Sequence, residues 1–507
     1  MSMRETMTKY IFFIFCSLFC ANNSFAQNST SSFNQSNNNT SSFSGISSTP
    51  PPSASAPAVD DNKSVDINNA NTKLDNSIEV GSPGVKKIRI AIPNFALADS
   101  GLSITSNDAL KFTKRFNDIL AFTNWFDFIP QNAFLSAKNF ALEPFQAQDW
   151  SIIKSEFVVF GKVTKAKSDK KFNLELRLYN VKLQNMLVGK IYNNLDLKLA
   201  DIALRRFGDV LINSLTGIPG PFMSKIAFVG KRSGNNSQIY IADFDGNNAF
   251  SITKNNSINI SPAWSPDGTK LTYTSFKTGI PQIYQYNLLS KGTVQMTTGS
   301  SNSSGSSWSS DGDTIAFSGA TKTGETHIFT MNSFGGDRRA FIFSSEIEVE
   351  PSYSPNGKYI AFTSNRFGNP MIFIRDLKTG EDTRLTYAGW YNASASWSPD
   401  SSTLAFASYD RKIDRWDVFK INVDGSHLER LTLSQGDNEK PTWSPDGRFI
   451  IFHSTRSSSG SNTINSNHKL YVMTKDGYFQ KELQTQIPDA KQPVWGPRLE
   501  QTTVDNN

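Results

Sequence analysis

The residue types that carry most biological chemistry are sparse in this 507-residue chain. Its four histidines, His327, His427, His453 and His468, form neither an H-x-x-x-H pair nor an H-E-x-x-H motif, so no zinc-protease helix is written here. No G-x-S-x-G elbow presents a serine nucleophile, and no G-x-G-x-x-G or P-loop stretch would cradle phosphates. Both cysteines, Cys16 and Cys20, fall within the first 26 residues. A chain cleaved after that segment has no disulfide, thiolate metal site or cysteine nucleophile. Asp243-Phe-Asp245-Gly246 resembles the start of a calcium loop but lacks the third ligand and the distal Glu. Carboxylates recur at Asp267, Asp311, Asp400 and Asp446, each inside a turn, where their work is conformational. The expectation is a protein with no catalytic, cofactor-binding or metal-ligating residues, acting by contact.

The turns belong to a repeat. Pro262-Ala-Trp-Ser-Pro-Asp-Gly268 returns as Ser306–Gly312, Pro351–Gly357, Ala395–Ser401 and Pro441–Gly447, then as Pro493-Val-Trp-Gly-Pro497. The anchors Trp264, Trp308, Tyr353, Trp397, Trp443 and Trp495 stand 44 to 52 residues apart. Between them run short alternating stretches such as Tyr359–Thr363 and Met371–Ile374, then a Gly turn and a Leu-Thr strand (Leu385-Thr386). Four short strands per ~45 residues describe a propeller blade. In Ser-Pro-Asp-Gly, Pro presets φ at the second position of a type I turn and Gly suits the fourth. The first blade, from Lys225, has no Trp motif before it, and Trp495 has no blade behind it. Joining the two predicts six four-stranded blades, the first closed by the C-terminal strand.

Ahead of the propeller lies an α/β pattern. Lys87–Ile92 alternates as a strand, and Ala109, Leu110, Phe112, Phe116, Ile119 and Leu120 recur at helical spacing behind Ser106 as N-cap. Phe157–Phe160, Phe172–Leu178 and Met186–Tyr192 read as strands, and Leu197–Leu215 as a closing helix broken by Gly217-Ile-Pro-Gly-Pro221. Residues 1–26 read as a secretory signal: Arg4 and Lys9, an apolar run Tyr10–Phe19, and Ser24-Phe25-Ala26, with cleavage between Ala26 and Gln27. The run is too short to span a bilayer, which takes ~20 residues. From Gln27 to Val59 no residue is charged, and residues 27–82 are expected to form a disordered tail. The expected organisation is signal 1–26, tail 27–82, α/β domain 83–218, propeller 219–499 and C-terminal tail 500–507. A net charge of +6, scattered along the chain, argues against a nucleic-acid binder. A mean hydropathy of −0.38 excludes a multi-span membrane protein.

The six repeats, the strand starts Lys225-Ile-Ala-Phe and Lys358–Phe362, and the join Ser214-Leu-Thr-Gly-Ile-Pro-Gly-Pro-Phe222 resemble the TolB family of the Tol–Pal system. The resemblance implies a periplasmic protein that binds the outer-membrane lipoprotein Pal at one mouth of the propeller. It implies that the start of the mature chain binds the inner-membrane protein TolA, and that colicin-type toxins exploit the same propeller. Together these contacts maintain the outer membrane and constrict it during division. The family's mature chain begins almost at once with its first strand, whereas here residues 27–77 precede Ile78, Glu79 and Val80, the segment assigned to TolA. Pal contacts fall on Asn302, Gly305, Val349 and Glu350, just before the anchors, with Asn438 and Glu439 at the corresponding place in a later repeat. Glu350 is expected as the strongest of these contacts, a rim carboxylate that accepts charge-assisted hydrogen bonds from a partner and whose loss leaves folding nearly untouched. The alternative is a solvated rim charge that contributes little. Two other readings stay open: a propeller that binds peptidoglycan or carbohydrate, and an exported propeller hydrolase.

Overall fold

In a computed structural model, residues 86–499 are described, apart from 103, 135–139, 169, 234–235, 434 and 457–466. Ala26, Gln27, Ile78, Glu79, Val80 and both tails lie outside them. The strand β1 (Ile88–Ala91) buries Ile88, Ile90 and Ala91. After the short β2 (Ala96–Leu97) the chain enters helix α1 (Ser106–Ala121), whose N-cap is Thr105, one residue earlier than the sequence reading placed it. The reason is a reciprocal capping box: Asp108 N donates to Thr105 Oγ1 and Thr105 N to Asp108 Oδ2. Next come β3 (Phe126–Phe128), the short α2 (Ala147–Ser151), β4 (Phe157–Lys165), β5 (Phe172–Asn180) and β6 (Asn185–Leu195). The sheet runs β3-β1-β4-β5-β6, parallel at β3-β1-β4 and antiparallel thereafter, and β2 pairs with β4. Helix α3 (Leu197–Thr216) starts at Asp196, which accepts from Lys198 N and Leu199 N. It ends at Gly217, whose φ of 76° a side chain would resist.

Six four-stranded antiparallel sheets follow. Blades two to six are contiguous in sequence, with first strands Asn259–Trp264, Ser303–Trp308, Glu348–Tyr353, Tyr391–Trp397 and Asn438–Trp443. Blade one takes its first strand, Lys491–Arg498, from the far end of the chain and pairs it with Ser224–Ser233. These first strands touch one another in succession right round, 491–498 lying against both 438–443 and 259–264. They are therefore the innermost strands and line the central channel. The turns form as their composition dictates: Gly268 N donates to Ser265 O at 2.9 Å, and Asp267 accepts from Ser265 Oγ and Thr269 N. The tryptophans lie between blades: the indoles of Trp264, Trp308 and Trp397 donate to Val494 O, Thr272 Oγ1 and Ser352 O of the preceding blade.

The Ser-Pro-Asp-Gly turns mark one end of the propeller, and the α/β domain docks there. Arg448, next to the last such turn, donates to Thr216 Oγ1 (2.6 Å) and Ile218 O (3.2 Å) and lies over the Trp125 ring. Phe122 packs edge-on against Phe244 and Phe449, and one hydrophobic core runs from Ile88 through Phe207 to Phe449 and Trp495. The calcium-like Asp243-Phe-Asp245 segment serves this junction. Asp245 pairs with Arg115, and Asp243 pairs with Arg205 and Lys225. The connecting segment is held by Asp209 of α3, which accepts from Phe222 N and Met223 N at 2.9 and 3.2 Å, with Arg498 3.5 Å away.

Candidate functional site: the channel mouth

At the opposite end the inner strands begin, and each contains the same irregularity. Three residues before every aromatic anchor the pairing register slips by a bulge. The residues at the slip are Ser261, Gly305, Glu350, Ser394, Lys440 and Gln492, and all have φ between +49° and +59°. Glycine adopts this conformation freely, so Gly305 is at ease there; for the other five it costs on the order of 1–3 kcal/mol each. A bulge re-aims a side chain. Six such bulges at one level make a ring round the channel axis, five of its members carrying a side chain.

Contacts within the ring bear this out. Ser261 N donates to Gln492 Oε1 at 2.9 Å, and Ser394 N donates to Glu350 Oε2 at 2.8 Å. Lys440 Nζ forms an ion pair with Glu350 Oε1, reaching from blade six to blade four past blade five. Thr363 Oγ1 and Ser394 Oγ add longer contacts at 3.4 and 3.5 Å. Burial pushes the Glu350 carboxyl up, but Lys440, the Ser394 N–H and Thr363 outweigh it and hold it below the usual carboxylate value. Glu350 is thus an anchored, ionised acceptor with about a quarter of its side chain exposed (23%), already tied within the protein where a rim charge with no part in the fold was expected. Losing it therefore leaves Lys440 without this partner and touches folding.

Of the other expected residues, Gly305 occupies the ring position of blade three, next to Glu350's blade. A side chain there would meet only Ser318 Oγ, at 3.9 Å. Val349 is buried just before Glu350, and Asn302 lies one residue ahead of the blade-three inner strand. The structure so brings all four onto two neighbouring blades. Sequence reasoning missed the other ring members, Ser261, Ser394, Lys440 and Gln492, although a fixed offset of three from each anchor was there to be counted.

Buried charges hold the ring from behind. Glu348 has no exposed side-chain surface and meets His327 Nδ1 at 2.7 Å and Arg366 at 3.2 Å, while Arg366 also binds Asp382. On blade six the logic reverses. Burial, with Asp437 nearby, pushes Glu439 well above the carboxylate range, and burial pushes its cross-strand neighbour His453 well down, so both favour the neutral form. Around the mouth stand exposed aromatics: Phe367 (70%), Tyr387 (72%) and Trp390 (44%), with Arg384 over Tyr387 and Arg411 over Trp390. Among the described residues no helix is long and apolar enough to cross a membrane, and no group of three or more His, Asp or Glu is placed to hold a metal ion.

Known proteins share the fold that carries this channel. Residues 212–499 match the TolB beta propeller domain, and residues 76–187 match the TolB amino-terminal domain. A curated relative from Desulfosudis oleivorans named Tol-Pal system protein TolB is 37% identical over 43% of this chain, which spans about half (49%) of that relative. One of the same name from Bordetella pertussis is 29% identical over 69% of this chain and 76% of its own length. The crystal structure of TolB from Acinetobacter baumannii superposes with a TM-score of 0.70 at 26% identity, covering 83% of this chain and 99% of that one. With the amino-terminal domain and the propeller matched in the same order, and the two superposed on a solved TolB as one unit, this chain belongs to the TolB family.

Proposed function

We propose that the protein is a non-enzymatic periplasmic contact platform of the Tol–Pal type. In this reading a Pal-like outer-membrane lipoprotein seats at the channel mouth through Asn302, Gly305, Val349 and Glu350. A TolA-like inner-membrane protein is held by the segment around Ile78, Glu79 and Val80, and colicin-type toxins exploit the same propeller. The two links serve outer-membrane integrity and constriction at division. The observation that carries the reading is the ring of left-handed bulge residues around an ionised acceptor. Backbone strain repeated at one level of a channel supports a role in recognition. The aromatic and arginine rim adds the side-chain types that dominate protein contacts.

Titrating the mature protein with the soluble domain of the same envelope's Pal-like lipoprotein tests this. Glu350→Ala is expected to weaken association by ~2 kcal/mol or more, mainly through faster dissociation. Unchanged affinity beside an intact melting curve removes Glu350 from the site. The exposed Trp390, Tyr387 and Phe367 would also suit a sugar face. Retention on purified cell wall, with no envelope protein captured in a parallel pull-down, would replace the Pal reading by that one. Export is checked separately: intact mass of the secreted form is expected to place Gln27 first with no lipid on Cys20, and an acylated start overturns it.

A further inference from the structure

We propose that Lys440 is a built-in competitor for the channel-mouth site: it occupies Glu350 in the free protein, and a binding partner must displace it with a donor of its own. This rests on the reading of the mouth as the docking site and adds how that site is held shut.

The two members of the pair differ in how firmly they are fixed. Glu350 is tied by the Ser394 N–H, by Thr363 Oγ1 and through its own N–H to Ser318 Oγ, so its carboxylate stays where the bulge aims it. The Lys440 ammonium, on a flexible four-carbon stem, meets one acceptor among the described residues, Glu350. Its immediate neighbour Glu439, pushed well up by burial, is a poor alternative anion. Lys440 is the half that can swing away, with a quarter of its side chain (25%) already exposed. The pair joins blades four and six past blade five, so the ammonium already holds the Oε1 oxygen of Glu350. Any chain segment that takes that oxygen as its acceptor must displace the lysine.

A site occupied by its own lysine binds a partner more weakly by the fraction of time it stands open. What replaces an ammonium on an ionised carboxylate must itself donate, so the inserted segment presents a Lys, an Arg or free backbone N–H groups. An acidic or purely apolar segment gains nothing from Glu350.

The test is a double-mutant cycle read by calorimetric titration of the full mature protein with the soluble domain of the Pal-like lipoprotein, with melting curves alongside. Lys440→Met keeps the stem and removes the charge; it is expected to tighten binding about tenfold with faster association. Glu350→Ala is then expected to cost about ten times more affinity in the Lys440→Met background than in the parent, since the parent's Glu350 is partly masked. A purely structural lysine would leave that penalty the same in both. Should Lys440→Met fold poorly, Lys440→Gln carries the same expectation. Equal or weaker binding by the folded lysine variant overturns the competitor role and leaves the docking site standing. No binding by the parent or either lysine variant overturns both.

Discussion

A chain ending at Asp489 is expected to lose the cooperative melting of the whole molecule, because the missing segment carries the inner strand of blade one. Lys491–Arg498 pairs with Ser224–Ser233, and without it blade one has no inner wall and the ring no closure. Trp495→Ala alone is expected to cost about 3–5 kcal/mol. Its ring is 6% exposed, its indole donates to Ser224 Oγ at 2.7 Å, and it stands edge-on to Phe122 of the other domain. Since Trp495 belongs to the core shared by both domains, the loss should lower one common transition and leave no separate propeller melt. Calorimetry of the variants decides it: an unchanged melting temperature for the truncated chain refutes closure as the source of stability.

The second large effect is a pH dependence placed at the domain junction. Burial pushes the Asp209 carboxyl up to about 7, overcoming Arg498 and the two backbone N–H groups that it accepts. In the unfolded chain the same group titrates near 3.8. Between these values the folded protein holds a proton that the unfolded one has released. The stabilisation is therefore complete below pH 4 and is lost as pH rises to 7, a change of about 4 kcal/mol at 1.36 kcal/mol per unit. Asp446, also raised by burial, slopes the same way, whereas His453, pushed down, slopes oppositely. The measurable quantity is therefore the difference between the parent and Asp209→Asn. That variant stays neutral and keeps an acceptor for Phe222 N. It is expected to be the more stable form at pH 8 and to lose most of the slope between pH 4 and 7, followed by urea unfolding across that range. Parallel curves for the two proteins would show that Asp209 does not titrate there.

The repeat was legible because its signal is local and chemical. Pro, Asp and Gly each have a fixed place in the turn, and the large anchor behind them must lie between blades, so composition alone exposed the period and the unpaired halves at Lys225 and Trp495. The helix start slipped by one residue because Ser106 and Thr105 are both good caps. Only the reciprocal partner Asp108, three residues after Thr105, separates them. The site was legible in part. Glu350 could be placed on an inner strand from its distance to Tyr353, but its charge state and surroundings depend on Lys440, 90 residues away in another blade. Pairings across a channel leave no trace in local patterning. The bulges are a different omission, since their regular offset from the anchors was present in the sequence and merely lacked a reason until the register slips supplied one.

Closure by the last strand also sets an order of events. The 267 residues from Ser224 to Lys491 separate the two partners of blade one. A chain exported before it folds meets this closure after crossing the membrane, as a loop of that length. Until it closes, Ser224–Ser233 has one bare edge, the kind that recruits other chains. Ile226, Phe228 and Phe244 of that blade share one core with Phe122 and Phe207 of the α/β domain. That shared core seats the earliest blade while the latest strand is still to arrive.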